Sequence, residues 1–149
     1  MKTYRRILVS IAAGGETHIL LQRAAGLAHA QQAQLLVVRI LDGRSGFEPD
    51  GPAAAWPLDV AARRVPETKR RLDLLLAQNN LGWAESRVVW GVPADQLAHI
   101  VRTWEPDLVV TCAGDLPREI GNGVDTLKVG RRNWASRLLG VLSPAPAPA

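Results

Sequence analysis

The sequence predicts an α/β fold, a parallel sheet with helices packed on both faces. Three observations predict it. Short apolar runs rich in β-branched residues alternate with stretches of helical periodicity, four times over, and end on a last strand. LLVVRIL (Leu35–Leu41) is apolar on both faces apart from Arg39, as a central strand of a parallel sheet is. ILVSIAAGGETH (residues 7–18) runs from a strand into a glycine pair at the mouth of a helix. Parallel neighbours are joined by right-handed crossovers, and the intervening helices supply them.

Each element follows in order. Arg5–Ala12 is the first strand. From Glu16, Leu20, Ala24, Leu27 and Ala28 recur on one helical face, and Gln31 and Gln32 close that helix. Leu35–Leu41 is the second strand. Asp42–Pro57 holds three glycines and three prolines without periodicity, which predicts a mobile connection over about 42–57. Leu58–Arg64 forms a short helical turn, and Pro66 suits the first position of the helix that follows, where its missing N–H costs nothing. Leu72, Leu75 and Leu76 give that helix its apolar stripe, and Asn79, Asn80 and Gly82 offer a stop. Ser86–Trp90 is a third strand ended by Gly91. Pro93 starts a helix in which Leu97, Ile100, Val101 and Trp104 follow the i, i+3, i+4, i+7 pattern. Pro106 ends it, and Asp107–Cys112 is a fourth strand. Asp125 is expected to cap a helix through about Trp134, with Arg137–Leu142 (RLLGVL) as the fifth strand. One domain is expected over 1–142, followed by a Pro/Ala-rich tail over 143–149.

Composition narrows the function. Of 149 residues, 47% are hydrophobic and 21% charged, values ordinary for a soluble globular domain. No apolar run is long enough to span a bilayer. MKTYRR leads directly into the first strand without a secretory pattern, so the expected location is the cytoplasm. Cys112 is the only cysteine, which rules out an internal disulfide. His18, His29 and His99 have no ligand partners at metal-binding spacing, so no metal is expected. The net charge of +4 is mild, and no aromatic platform or recognition helix accompanies Arg63, Arg64, Lys69, Arg70 and Arg71. They read as the wet face of a helix, and nucleic acid is not the expected partner. Of the five tryptophans, Trp104 belongs to the core. Trp90 and Trp134 end elements near the crevice above the strand C-termini, and Trp56 lies in the loop that can fold over it.

Three stretches resemble the universal stress protein family. ILVSIAAGGET is similar to its opening strand, WGVPADQLAHIVRTWEPDLVV to its glycine–proline turn, amphipathic helix and Asp-led strand, and RLLGVLSP to its final strand. The resemblance runs from about Tyr4 to Pro144. It implies a five-stranded parallel sheet of order 3-2-1-4-5, the adenine nucleotide alpha hydrolase-like architecture. It also implies a homodimer in which the last strand pairs with its copy through Arg137, Leu138, Leu139, Val141 and Leu142. An unpaired apolar edge strand needs such cover.

ATP-binding members of the family resemble one another after the fourth strand: two glycines separated by two residues, then nine residues, then glycine followed by Ser or Thr. Backbone N–H groups beside glycine approach phosphate closely there. In this chain the glycines are Gly114, Gly121, Gly123 and Gly130, and no two are separated by two residues. Arg131 stands where the hydroxyl is expected, and Pro117, three residues beyond Gly114, donates no N–H. The acid that ends the family's first strand corresponds to Ala12. The degenerate nucleotide positions are therefore Ala12, Gly14, Gly15, Gly114, Gly121, Gly123, Gly130 and Arg131.

The function these readings favour is a non-enzymatic regulator of the stress response. It acts as a homodimer with a protein partner, and no cofactor is expected. Two alternatives differ in class. One is a regulator that holds AMP or ATP through altered contacts, with a backbone anion site near Arg131 or Arg132. The other is an enzyme: AAGGETH has the two glycines of a PP-loop ATPase, but Ala13, Thr17 and His18 replace its serine, acid and final serine.

Overall fold

The computed structural model describes residues 2–11, 17–42, 57–112 and 123–129, with side chains from residue 61 onward in the third segment. Among the described residues, five strands and three helices follow one another as β1 (Arg6–Ile11), α1 (Thr17–Gln31), β2 (Gln34–Asp42), α2 (Pro57–Gln78), β3 (Glu85–Gly91), α3 (Pro93–Trp104), β4 (Leu108–Cys112) and β5 (Asp125–Val129). All neighbouring strands are parallel, and their order across the sheet is β3-β2-β1-β4-β5. This is the predicted architecture and strand order.

The sheet separates two cores because successive strand residues point to opposite faces. Ile7, Val9 and Ile11 of β1, Leu35 and Val37 of β2, and Leu108 and Val110 of β4 pack with Leu20, Leu21, Ala24 and Ala28 of α1 and Leu72 and Leu76 of α2. On the other face Leu8, Leu36, Val38 and Val109 meet Leu97, Ile100 and Trp104 of α3. β1 and β2 are buried on both sides, which is why neither shows polar alternation.

Each helix stops in a left-handed residue. The Gln32 N–H donates to the His29 carbonyl and the Ala33 N–H to the Ala28 carbonyl, with Gln32 at φ 52°, a Schellman ending without glycine. Asn80, at φ 58°, ends α2 in the same way, and the following Leu81 is buried beside Leu76. Glu105, at φ 54°, does this for α3, its N–H donating to the Val101 carbonyl.

Two expectations are corrected. Pro66 does not begin a helix. It lies inside α2, which runs unbroken from Pro57. The inward stripe of Ala61, Val65, Thr68, Leu72 and Leu76 continues across Pro66, and the proline itself faces solvent, so the missing backbone bond falls on the wet side. Asp125 does not cap a helix either. Asp125, Leu127 and Val129 are half-buried while Thr126 and Lys128 are exposed, a period of two, and the segment forms β5 against β4. Residues 113–124 supply the dozen that a parallel crossover needs at least. The fifth strand is thus Asp125–Val129, and Arg137, Leu138, Leu139, Val141 and Leu142 lie outside the described residues, as do 43–56 and the tail.

Candidate functional site

A pocket of about 280 Å³ opens where β1 and β2 end, between the start of α1 and the stretch of α2 from Arg64 to Leu75. Ile11, Leu41, Leu72 and Leu75 form its apolar floor. Thr17, Arg39, Arg64, Glu67, Thr68 and Arg71 give it polar walls. Strand C-termini are the usual ligand crevice of such sheets, and the helix alignment explains the lining. Arg64, Glu67, Thr68, Arg71, Leu72 and Leu75 recur at the i, i+3, i+4, i+7, i+8, i+11 spacing of one helical stripe. Where α2 covers the sheet, that stripe is leucine. Where it passes beyond the strand ends, the same stripe becomes charged.

The electrostatics are one-sided. Three guanidinium groups and one carboxylate line the described walls. Glu67 Oε1 is already taken by Arg71 Nη2 at 2.6 Å. Arg39 stands on β2 opposite Ile11 of β1 and Val88 of β3, on the face that buries Val37. Its Nε is buried and has no hydrogen-bond partner among the described residues. A buried donor left unpaired is costly and uncommon. Arg6 Nε, packed on Trp104, is the other such atom among the described residues, and of the two only Arg39 lines the pocket. The N-terminus of α1, at Thr17, adds positive potential on the same side.

A second polar cluster lies on the sheet edge. Lys69 Nζ donates to Ser86 Oγ at 2.6 Å, Ser86 Oγ donates to Asp73 Oδ1 at 2.5 Å, and Lys69 also pairs with Asp73 at 2.9 Å. The Ser86 hydrogen bond, then that of Lys69, holds the Asp73 carboxyl below its ordinary value of 3.8. A carboxylate so stabilised is a weak base at neutral pH. The cluster tethers α2 to β3.

Of the positions assigned to a degenerate nucleotide site, Ala12, Gly14, Gly15, Gly114, Gly121, Gly130 and Arg131 lie outside the described residues. Gly123 is described. It occupies an exposed turn before β5, and a Cβ built on it meets no atom within 4 Å, so close packing does not demand glycine there. Among the described residues, no group of three or more His, Cys, Asp or Glu is placed to hold a metal ion, and no helix is long and apolar enough to cross a membrane. Trp104 is core as expected, with Arg6 Cζ 4.4 Å from its ring centroid. Trp90 is half-buried and is not among the described pocket residues, Trp83 is exposed against His29, and Trp56 and Trp134 lie outside the described residues.

The arginine wall is what the sequence reading missed. Arg64 and Arg71 are exposed, as a wet helix face predicts, and their seven-residue spacing also sets them on the stripe that continues into Leu75. Arg39, the one interruption of an apolar strand, was the signal for it.

The sheet order, the two helical layers and the crevice above the strand ends define a Rossmann-like α/β domain of the kind that carries small ligands at its strand C-termini. The profile of the universal stress protein family matches residues 3–118, and the chain belongs to that family. No curated protein matches the sequence. Among solved structures it is similar to the universal stress protein UspA from Lactobacillus plantarum, at 16% identity and a TM-score of 0.61, covering 87% of this chain and 99% of that one. A universal stress protein family member from Burkholderia pseudomallei gives 19% identity and a TM-score of 0.59, covering 85% and 96%. One from Arabidopsis thaliana, solved with AMP bound, gives 12% identity and a TM-score of 0.55, covering 85% and 91%.

Proposed function

We propose that this chain is a non-enzymatic, cytoplasmic regulator of the stress response that works as a homodimer through a protein partner, without the ATP grip of its nucleotide-binding relatives. The observation that carries the reading is the composition of the pocket wall. Its only described carboxylate, Glu67, stands on α2 and pairs through Oε1 with Arg71, so the described wall offers a ribose no acid from the end of β1. The sequence agrees, with Ala12 where a sugar-binding acid would end β1 and no pair of glycines two residues apart after β4. The glycine spacing that lets main-chain donors cradle a triphosphate is therefore absent from the sequence after β4.

Titration calorimetry with ATP and AMP tests the nucleotide half of this reading; the expected result is no binding at millimolar ligand. Size-exclusion chromatography with light scattering tests the dimer, and a monomer at micromolar concentration removes it. The second reading, AMP held by altered contacts, is favoured by the excess of arginine over carboxylate in the pocket and by the AMP bound to the Arabidopsis thaliana relative. Saturable AMP binding would select it.

A further inference from the structure

We propose that the pocket between β2 and α2 is a receptor site for a small organic oxyanion, a carboxylate or phosphate monoester on an apolar body of about one ring, with Arg39 and Arg64 as its principal anchors. The inference rests on the non-nucleotide reading above and names the signal that such a regulator would take.

Three independent features converge on that chemistry. The first is charge. Among the described lining residues Arg39, Arg64 and Arg71 face a single Glu67, which leaves two positive charges uncompensated once Glu67 and Arg71 pair. The second is an orphaned donor. Arg39 Nε is buried without a partner among the described residues, on a strand buried on both faces, and it lines the pocket, where an oxyanion would supply the acceptor it lacks. A guanidinium presents a planar fork of donors, and carboxylate and phosphate oxygens match it two at a time. The third is shape. Ile11, Leu41, Leu72 and Leu75 make an apolar floor beneath the charged walls. A bare inorganic anion would leave that floor wet, whereas a ligand with a ring or short chain covers it. The volume, about 280 Å³, lies just below the roughly 300–1,000 Å³ of drug-sized sites, so one ring and its head group fit while a long polyphosphate does not.

The arginines have separate parts in this arrangement. Arg39, fixed on a strand, sets where the oxyanion lies. Arg64, exposed at the mouth and without a partner among the described residues, closes on it from the helix. Arg71 is held by Glu67 and contributes potential more than contact. Thr68, half-buried on the same stripe, offers a hydroxyl at the same wall.

The test is calorimetry and thermal shift on the full chain with four probes: benzoate, phenyl phosphate, inorganic phosphate and AMP. The expected result is that benzoate or phenyl phosphate binds with a dissociation constant at or below about 1 mM and raises the melting temperature, while inorganic phosphate binds at least tenfold more weakly. Whichever of the first two binds tighter identifies the head group. Arg39→Met keeps the aliphatic stem and removes the donors, and it should weaken that probe tenfold or more, as a lost charged hydrogen bond does. Arg64→Met, on an exposed helical position, repeats the measurement without the risk to the fold that Arg39→Met carries. Failure of both organic probes to bind the wild-type chain overturns the proposal, as does binding undiminished in both variants. AMP separates the two readings: tight AMP binding defeats the nucleotide-free function, while the benzoate and phenyl phosphate results alone decide the oxyanion site.

Discussion

Asp107 and Arg6 bind one another through two hydrogen bonds: the Arg6 N–H donates to Asp107 Oδ1 at 2.9 Å, and the Asp107 N–H donates to the Arg6 carbonyl at 3.0 Å. The Arg5 N–H donates to the second carboxylate oxygen at 2.7 Å. One side chain thereby satisfies the first backbone donors of β1 and sets its register against β4, from Ile7 opposite Leu108 onward. Asp107→Ala leaves two N–H groups without their acceptor, one of them partly buried, and should destabilise the fold by about 1–3 kcal/mol. Asp107→Asn keeps one oxygen and should fall between the two. Urea denaturation midpoints check the order wild type, Asn, Ala.

Gly91 joins β3 to α3 at φ +154°, a backbone conformation that L side chains rarely adopt. A Cβ built there lies 2.7 Å from Gln96 Nε2 and 2.9 Å from Gln96 Cγ. Gly91→Ala should therefore cost about 1–3 kcal/mol, part backbone strain and part crowding. Adding Gln96→Ala should recover the crowding share and leave the strain. Thermal denaturation of the single and double variants separates the two shares, and full recovery in the double variant would assign the whole cost to Gln96.

Where one force dominated, the sequence was readable. α3 was legible residue by residue, because Pro93 and Pro106 bracket a stripe of Leu97, Ile100 and Trp104 that packs where the periodicity put it. β1, β2 and β4 were legible because only strands buried on both faces carry such runs. β5 was not: Asp125 looks like a cap, and the alternation that makes Asp125–Val129 a strand spans only five residues. Pro66 misled for a different reason. A local rule against proline in a helix gave way to an inward stripe extending on both sides of it. The pocket was half legible. Arg39 was visible as an oddity, but that it shares a cavity with Arg64 and Arg71 depends on how α2 lies across β2, and no local pattern contains that.

Pro66 offers a gain of stability. It is exposed in the interior of α2 and lacks the N–H that would bond the Ala62 carbonyl. Pro66→Ala restores that bond. The larger freedom of the unfolded chain offsets part of the benefit, so the expected gain is about 1–2 kcal/mol. At roughly 2–4 °C per kcal/mol for a chain of this size, the melting temperature should rise by several degrees. A fall would mean that the backbone geometry Pro66 imposes is needed to seat Leu72 and Leu76 in the core.

Asp125 predicts a pH signature at the opposite end of the sheet from the pocket. Lys2 Nζ lies 2.7 Å from its Oδ2, and the Tyr4 hydroxyl donates to the same oxygen at 2.8 Å, while the Tyr4 N–H donates to Gln31 Oε1. The hydrogen bond from Lys2, then that from Tyr4, holds the Asp125 carboxyl below 3.8. The bond to Asp125 is also the main cause that raises Lys2 above 10.5 and Tyr4 above 10.0. A carboxyl depressed in the folded state stabilises above its unfolded value and ceases to do so as pH falls through the folded one. A lysine or tyrosine raised in the folded state stabilises below its unfolded value and ceases to do so as pH rises through the folded one. Asp125→Asn removes the charge that all three shifts share. The difference in urea midpoint between wild type and this variant should be constant from about pH 5 to about pH 9 and shrink at both ends, below 3.8 and above 10. Because Lys2 is exposed and Asp125 and Tyr4 are only half-buried, about 1 M salt should shrink it across the whole range. A difference that persists unchanged to pH 2 would show that the Asp125 side chain holds β5 by packing and neutral hydrogen bonds, with its charge irrelevant to the clamp.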